Sequence, residues 1–158
     1  MQPSQPLEGY PFPLASRGKR IGAAALDALF LFVTCYIGWI VWNLIVWKDG
    51  QSPGKQLLKL RVYGTELKRP ANWAHMAIRN FLIPFTVNLS YFPYWLGIIN
   101  GSISVDDSPY SSPSYLFALV ITFAFSIAEL ITFFTSPTRQ KISDRIAKTV
   151  VLDESVRY

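Results

Sequence analysis

Apolar and charged positions fall in long separate blocks along this chain. From Ile21 to Trp47 the only charge is Asp27; from Phe81 to Val105 there is none; from Ser114 to Thr135 there is only Glu129. Uncharged runs of roughly 20 residues are what a helix needs to cross ~30 Å of hydrocarbon. A soluble domain would instead spread its charges over amphipathic elements. The pattern predicts an all-α membrane protein: a small helical bundle with about three transmembrane segments and short extended cytoplasmic segments.

The three runs differ in kind. As one straight helix, Ile21–Trp47 would measure about 40 Å, more than one crossing and less than two. Two readings stand: a single long crossing, or a fold-back near Tyr36–Gly38, which we favour. The fold-back must find partners for backbone groups of a turn at membrane depth. The run ends in "WIVWNLIVWK", tryptophans suited to an interface. The second span, Phe81–Ile99, is interrupted by Pro84 and Pro93, with Asn88 and Ser90 between them. It is expected to kink against protein or water, its polar side chains lining a path or bonding across helices. The third, Tyr115–Phe134, is uninterrupted and stops before Pro137.

Between the runs the chain is punctuated. In "DGQSPGKQLLKLRVYG", Gly50 breaks the first run, and Ser52 with Pro53 reads as an N-cap and first helical position. A short turn should lead into an extended "LRVYG". "SDRIAKTVVLDE" repeats that design, and the two extended pieces can pair as a small ladder. Residues 1–16 hold four prolines and no periodicity and read as a flexible tail. Residues 17–152 form the membrane domain, and 153–158 a C-terminal tail.

Charge adds a direction. The net charge of +5 comes from the loops: Lys48 to Arg79 carries seven basic residues against Asp49 and Glu66. Basic loops mark the cytoplasmic side, so loop 48–79 and the C-terminus are expected inside and the acidic loop 100–113 outside. The basic face implies anionic headgroups as partners, contacted by Lys55, Lys59, Arg61 and Arg79. Nucleic acid is not expected, because the tryptophans and tyrosines lie in or beside apolar runs. With Cys35 the single cysteine and His75 the single histidine, no disulfide framework, metal set or cofactor site is predicted. No nucleophile–base pair is visible, so no enzyme is expected. "GQSPGK" is not a phosphate loop: three residues rather than four separate its glycines, and Gln56 follows Lys55 where Ser or Thr should stand.

The candidate chemistry lies in carboxylates within or beside the apolar runs. Arg20 and Asp27, seven residues apart, share a helix face about 10 Å apart along the axis. A lone charge near mid-bilayer costs at least ~2.5–3.5 kcal/mol. Asp27 is therefore either a cation- or proton-binding carboxylate tuned by Arg20, or a tie to a basic segment through Lys55 or Arg145. Glu129 divides the same way, between anchoring or helix pairing and a place in a solute path. Asp144 is either an acid in the first turn of a short helix or a partner for Arg20 or Lys55.

The order "RIGAAALD", "GQSPGKQLLKLRV", the arginine of "AIRN", then "DRIAKTVV" resembles the RDD family of bacterial membrane proteins over about residues 15 to 152. The arginine and two aspartates of the family name map onto Arg20, Asp27 and Asp144. Ser52 stands where threonine is usual, and Lys148 where a small residue is common. The stretch from Asp27 to Gly50 is short beside members with two clear spans there. The resemblance implies a multi-pass protein of the bacterial cytoplasmic membrane. Transport of ions or small solutes has been proposed for the family. The function expected here is transport of a monovalent cation or proton by an oligomer. The alternative is a non-catalytic accessory, scaffold or assembly subunit of a membrane complex.

Overall fold

The computed structural model describes residues 9–66 and 68–156. The first helix, α1 (Arg17–Val33), starts at Ser16, whose side chain accepts the Lys19 N–H at 3.1 Å. It ends in a turn at Thr34–Tyr36, and α2 (Ile37–Val46) follows. Cys35 and Tyr36 carry positive φ values of 49° and 65°, which lets the chain reverse.

The reversal is complete. Phe30 packs on Trp42 with ring centroids 5.3 Å apart. The chain that leaves Asp27 returns to it at Gly54, whose N–H donates to Asp27 Oδ1 at 2.7 Å. The first apolar run is therefore a helical hairpin, not a crossing. Its arms of 17 and 10 residues are about 26 and 15 Å long, each short of the ~30 Å core. The difficulty of a turn at depth is met locally. The N–H groups of Thr34, Cys35, Tyr36 and Ile37 donate to the carbonyls of Phe30, Phe32, Leu31 and Cys35, and the Thr34 hydroxyl donates to Phe30 O at 2.7 Å.

Among the described residues, two helices are long and apolar enough to cross a membrane: α4 (Trp73–Ile99, 27 residues) and α5 (Pro113–Thr135, 23 residues). Their apolar side chains, among them Phe85, Phe117 and Phe123, are largely exposed, as a lipid solvent requires. α4 begins before the expected Phe81, with the Asn72 side chain accepting the His75 N–H as its cap. It widens to π geometry over Ile78–Leu82. The widening has a cause in the next residues: Pro84 has no N–H for the carbonyl four residues back, and its ring would press on it. Asn88 and Ser90 donate to Pro84 O and Val87 O within α4, not across helices.

At one end of the bundle sits a small cap built from two similar units. α3 (Pro53–Leu57) leads through Leu58 and Lys59 to β1 (Leu60–Gly64); α6 (Ile142–Ile146) leads through Ala147 and Lys148 to β2 (Thr149–Asp153). Lys59 and Lys148 both adopt the left-handed conformation, with φ of 54° and 51°. β1 and β2 pair antiparallel with Val62 opposite Val151. A two-stranded ladder is marginal alone, and here both edges are covered. Ala15 N donates to Val151 O and Asp153 N to Pro13 O on one edge; Ala71 N donates to Val62 O on the other.

One ladder face packs Leu60, Val62 and Val151 against Ala23 of α1 and Met76 of α4; the other packs Tyr63, Val150 and Leu152 against Leu14, Tyr10 and Phe12. The segment expected as a flexible tail is thus docked from Tyr10 onward, and residues 1–8 lie outside the described residues. The expected C-terminal tail also begins inside an element, since Asp153 ends β2 and pairs with Lys19 at 2.6 Å. Arg157 and Tyr158 are outside the described residues.

Candidate functional site

Where the cap meets the helices, the charged residues of the apolar runs converge. Asp144, the third residue of α6, is wholly buried. Its Oδ2 accepts from Arg20 Nη2 of α1 at 2.6 Å and from the Lys141 N–H at 3.2 Å. Its Oδ1 lies 2.8 Å from Arg79 Nε. Arg79 belongs to the π segment of α4, so the local widening is what sets this guanidinium. Arg20 also donates to Arg139 O and lies over the Phe133 ring, 4.9 Å from its centroid. Burial alone would push the Asp144 carboxyl up, but Arg79 and Arg20 outweigh it and hold it below the ordinary carboxylate value. Asp144 therefore pairs with Arg20, one of its two expected partners. Its second partner is Arg79, which the sequence reading had assigned to headgroup contact.

Asp27 makes a separate group. Its Oδ2 accepts from Ser52 Oγ at 2.6 Å, its Oδ1 from the Gly54 N–H, and Lys55 Nζ lies 4.0 Å away. Lys55 Nζ also reaches Ser52 Oγ at 3.0 Å. Ser52, expected as a helix cap through its side chain, spends its hydroxyl on Asp27 instead; the tie to α1 replaces the cap. Glycine at 54 is required by the approach: a Cβ there would lie 2.1 Å from Ala23 O. Burial, with Arg79 nearby, drives the Lys55 ammonium down to about 7, although Asp27 opposes the shift. Its side chain is 14% exposed, so it is desolvated without being sealed off. Arg145, the other candidate partner for Asp27, is exposed.

Glu129 of α5 reaches the Ser143 N–H of α6 at 3.1 Å, with Lys141 Nζ 3.8 Å from its other oxygen. It fastens α5 to α6. Lys59 and Arg61 lie apart from this cluster: the Lys59 carbonyl accepts the Glu154 N–H, and Arg61 pairs with Glu154 at 3.3 Å on the ladder. Sequence reasoning missed Lys141 and undervalued Arg79. The signal available for Arg79 was an arginine five residues ahead of Pro84, where a helix is forced to deform.

From this end a cleft of about 840 Å³ runs between α2, α4 and α5. Asp27, Lys55, Arg79, Glu129 and Lys141 line its charged end; Trp39, Asn43, Asn88, Thr122 and Ser126 supply polar groups among the apolar side chains that line the rest. Arg20 and Asp144 are not among its lining residues. The site so divides into a buried ion triad, which meets the cleft through Arg79 alone, and an open carboxylate–lysine pair. The first can hold helices together. The second lies open to the cleft.

A family model described as the RDD family matches residues 21–148 of the chain. No curated protein and no solved structure matches it.

Proposed function

The chain belongs to the RDD family, and from that premise we propose that it moves a monovalent cation or a proton across the bacterial cytoplasmic membrane. The observation that carries this reading is the placement of Lys55 beside Asp27 at the charged end of the cleft, 4.0 Å apart and joined through the Ser52 hydroxyl. A lysine driven down to about 7 changes charge at neutral pH. Protonated, its ammonium is the counterion of Asp27. When the proton leaves, Asp27 and Ser52 present oxygens to a monovalent cation. A returning proton restores the ammonium and displaces the cation. The two occupancies carry the same charge, so the exchange adds no net charge to a low-dielectric site.

Two spanning helices per chain are few for a permeation path, so the working unit is an oligomer. Loop 48–79 and the C-terminus face the cytoplasm by their basic residues, where Lys59 and Arg61 meet anionic headgroups. Loop 100–113 is external.

Purified protein in proteoliposomes tests the reading. Wild type should show a cation- or proton-dependent flux that is lost in Lys55→Met and Asp27→Asn variants of unchanged oligomeric size. A second reading, a non-catalytic accessory or scaffold subunit, is favoured by one observation: Asp144, buried between Arg20 and Arg79, ties the short helix α6 to α1 and α4. Silence of a well-folded wild-type oligomer, with a stable co-purifying partner, would select it.

A further inference from the structure

The cleft is larger than an ion requires, since one water occupies only ~30 Å³ of liquid. Most of its wall is apolar, with Ile40, Leu44, Ile83 and Phe125 facing the same space. Three lining residues nevertheless carry buried polar atoms without a hydrogen-bond partner among the described residues: Arg79 Nη1, Trp39 Nε1 and Thr122 Oγ1. They come from α4, α2 and α5. Arg79 is only 7% exposed. An unmet buried donor costs about 1–3 kcal/mol, more when charged, and three on one cleft are a shared demand.

That demand has a chemistry. The guanidinium and the indole N–H are donors only, and the threonine hydroxyl can also donate, so the occupant must offer acceptor oxygens. The charge at this end admits an anion, since Arg20, Arg79, Lys55 and Lys141 stand against the carboxylates of Asp144, Asp27 and Glu129. The acceptors are needed at two depths. Thr122 precedes Glu129 by seven residues of α5, about 10 Å along the helix, whereas Arg79 stands at the charged end. A free inorganic anion would meet Arg79 and leave Trp39 and Thr122 unmet, and a bare hydrocarbon would meet none.

We propose that this cleft is a binding site for an anionic membrane lipid. Its phosphate accepts from Arg79 at the charged end, its ester carbonyls accept from Trp39 and Thr122, and its acyl chain lies along the apolar wall. The site uses neither Asp27 nor Lys55 as ligand and stands independently of the exchange reading.

The test uses the full chain in detergent and the double variant Trp39→Phe/Thr122→Val, which keeps shape and removes both deep polar groups. Thermal midpoints are read with added phosphatidylglycerol, phosphatidylcholine or inorganic phosphate. The expected result is a rise of several degrees with phosphatidylglycerol in wild type, cut by half or more in the double variant, with inorganic phosphate inert. A rise of equal size in wild type and variant overturns the proposal. So does an equal rise with phosphatidylcholine, and so does inorganic phosphate matching the lipid, which would assign the site to a free anion. Flux through Asp27 and Lys55 is measured separately, so either idea can fail without the other.

Discussion

Asp27 and Glu129 hold equivalent places in the two halves of the cap. Each projects from a long helix, and each carboxylate accepts from the N–H of the second residue of a five-residue helix: Gly54 of α3 at 2.7 Å and Ser143 of α6 at 3.1 Å. Each also has a lysine near it, Lys55 at 4.0 Å and Lys141 at 3.8 Å. The first N–H groups of a helix lack partners within it, and at the membrane boundary a carboxylate satisfies one of them while opposing the helix dipole favourably. The third residues of the two short helices, Lys55 and Asp144, then bring opposite charges to the middle of the cluster. Four predictions follow from the geometry of this junction and of the hairpin beside it.

Removing the charge of Asp144 should be the most damaging conservative change. Asp144→Asn leaves Arg20 and Arg79 buried without a counterion, and breaking a buried pair in this way costs about 3–5 kcal/mol. Detergent unfolding curves should show that loss, and an Asn variant as stable as wild type would contradict the triad. Because the folded carboxyl is held below its ordinary value, the sign is that of an acid-labile contribution. It is fully present above the unfolded value near 3.8 and is lost only as pH falls through the lower folded value. Stability between pH 5 and 8 should not report on Asp144.

Lys55 has the opposite pH signature. Its folded value of about 7 lies below the ordinary 10.5, so between those values the unfolded chain binds more protons than the folded one. Stability should therefore rise with pH across that window, by at most ~1.4 kcal/mol per pH unit. Below about pH 7 both states are protonated, and the group adds no slope. Unfolding measured at pH 6, 8 and 10 should show this rise in wild type, and Lys55→Met should flatten it. An unchanged slope in the variant would remove Lys55 as the titrating group.

Gly54→Ala should separate α3 from α1. The added methyl would meet Ala23 O at 2.1 Å and Asp27 N at 3.0 Å, both backbone atoms of α1 that cannot swing aside. Overpacking of this kind typically costs ~1–3 kcal/mol, and here it also breaks the bond to Asp27. The expected outcome is a loss of at least ~3 kcal/mol, read as a lower unfolding midpoint. Ser52→Ala, which removes the hydroxyl donor to Asp27 and acceptor for Lys55 but adds no bulk, should cost less.

Cys35, at the hairpin tip and exposed to the surroundings of the protein, reports on the fold-back without any engineering. A tip that stops inside the hydrocarbon should resist a charged maleimide applied from either side and react with it once detergent admits water, because the thiolate is the nucleophile. Reaction with the charged reagent from one side in intact membranes would mean that the first run reaches the opposite surface.

Much of this was legible beforehand because the membrane enforces simple rules. The helical runs, the turn near residue 36, the Ser52–Pro53 helix start and the repeated helix-to-strand unit all follow from local signals. The pairing of Arg20 with Asp144 rested on charge alone and was one of two options. What escaped was geometry set by neighbours. Arg79 reads as one more basic loop residue until Pro84 widens the helix and turns it inward. Ser52 is the N-cap residue of α3 as expected, but its hydroxyl goes to Asp27 and not to the α3 backbone. The length of the first run points to a fold-back, but the contact between Asp27 and Gly54 that closes it carries no signal in the sequence. The docking of Pro13 to Ala15 beside β2 has no signal in a proline-rich stretch of sequence, because it consists of backbone bonds to a strand some 140 residues away.

That separation in sequence also orders how the protein is made. Arg20 is synthesised 124 residues before its counterion, and β1 must wait for β2, which follows the last spanning helix. During synthesis the two arginines remain hydrated or bound to headgroups while both spanning helices are already inserted. Only the arrival of residues 141–153 lets them leave water. Burial of charge is thus the closing event of assembly, and a chain interrupted before Asp144 leaves Arg20 and Arg79 without their shared counterion, open to proteolytic surveillance.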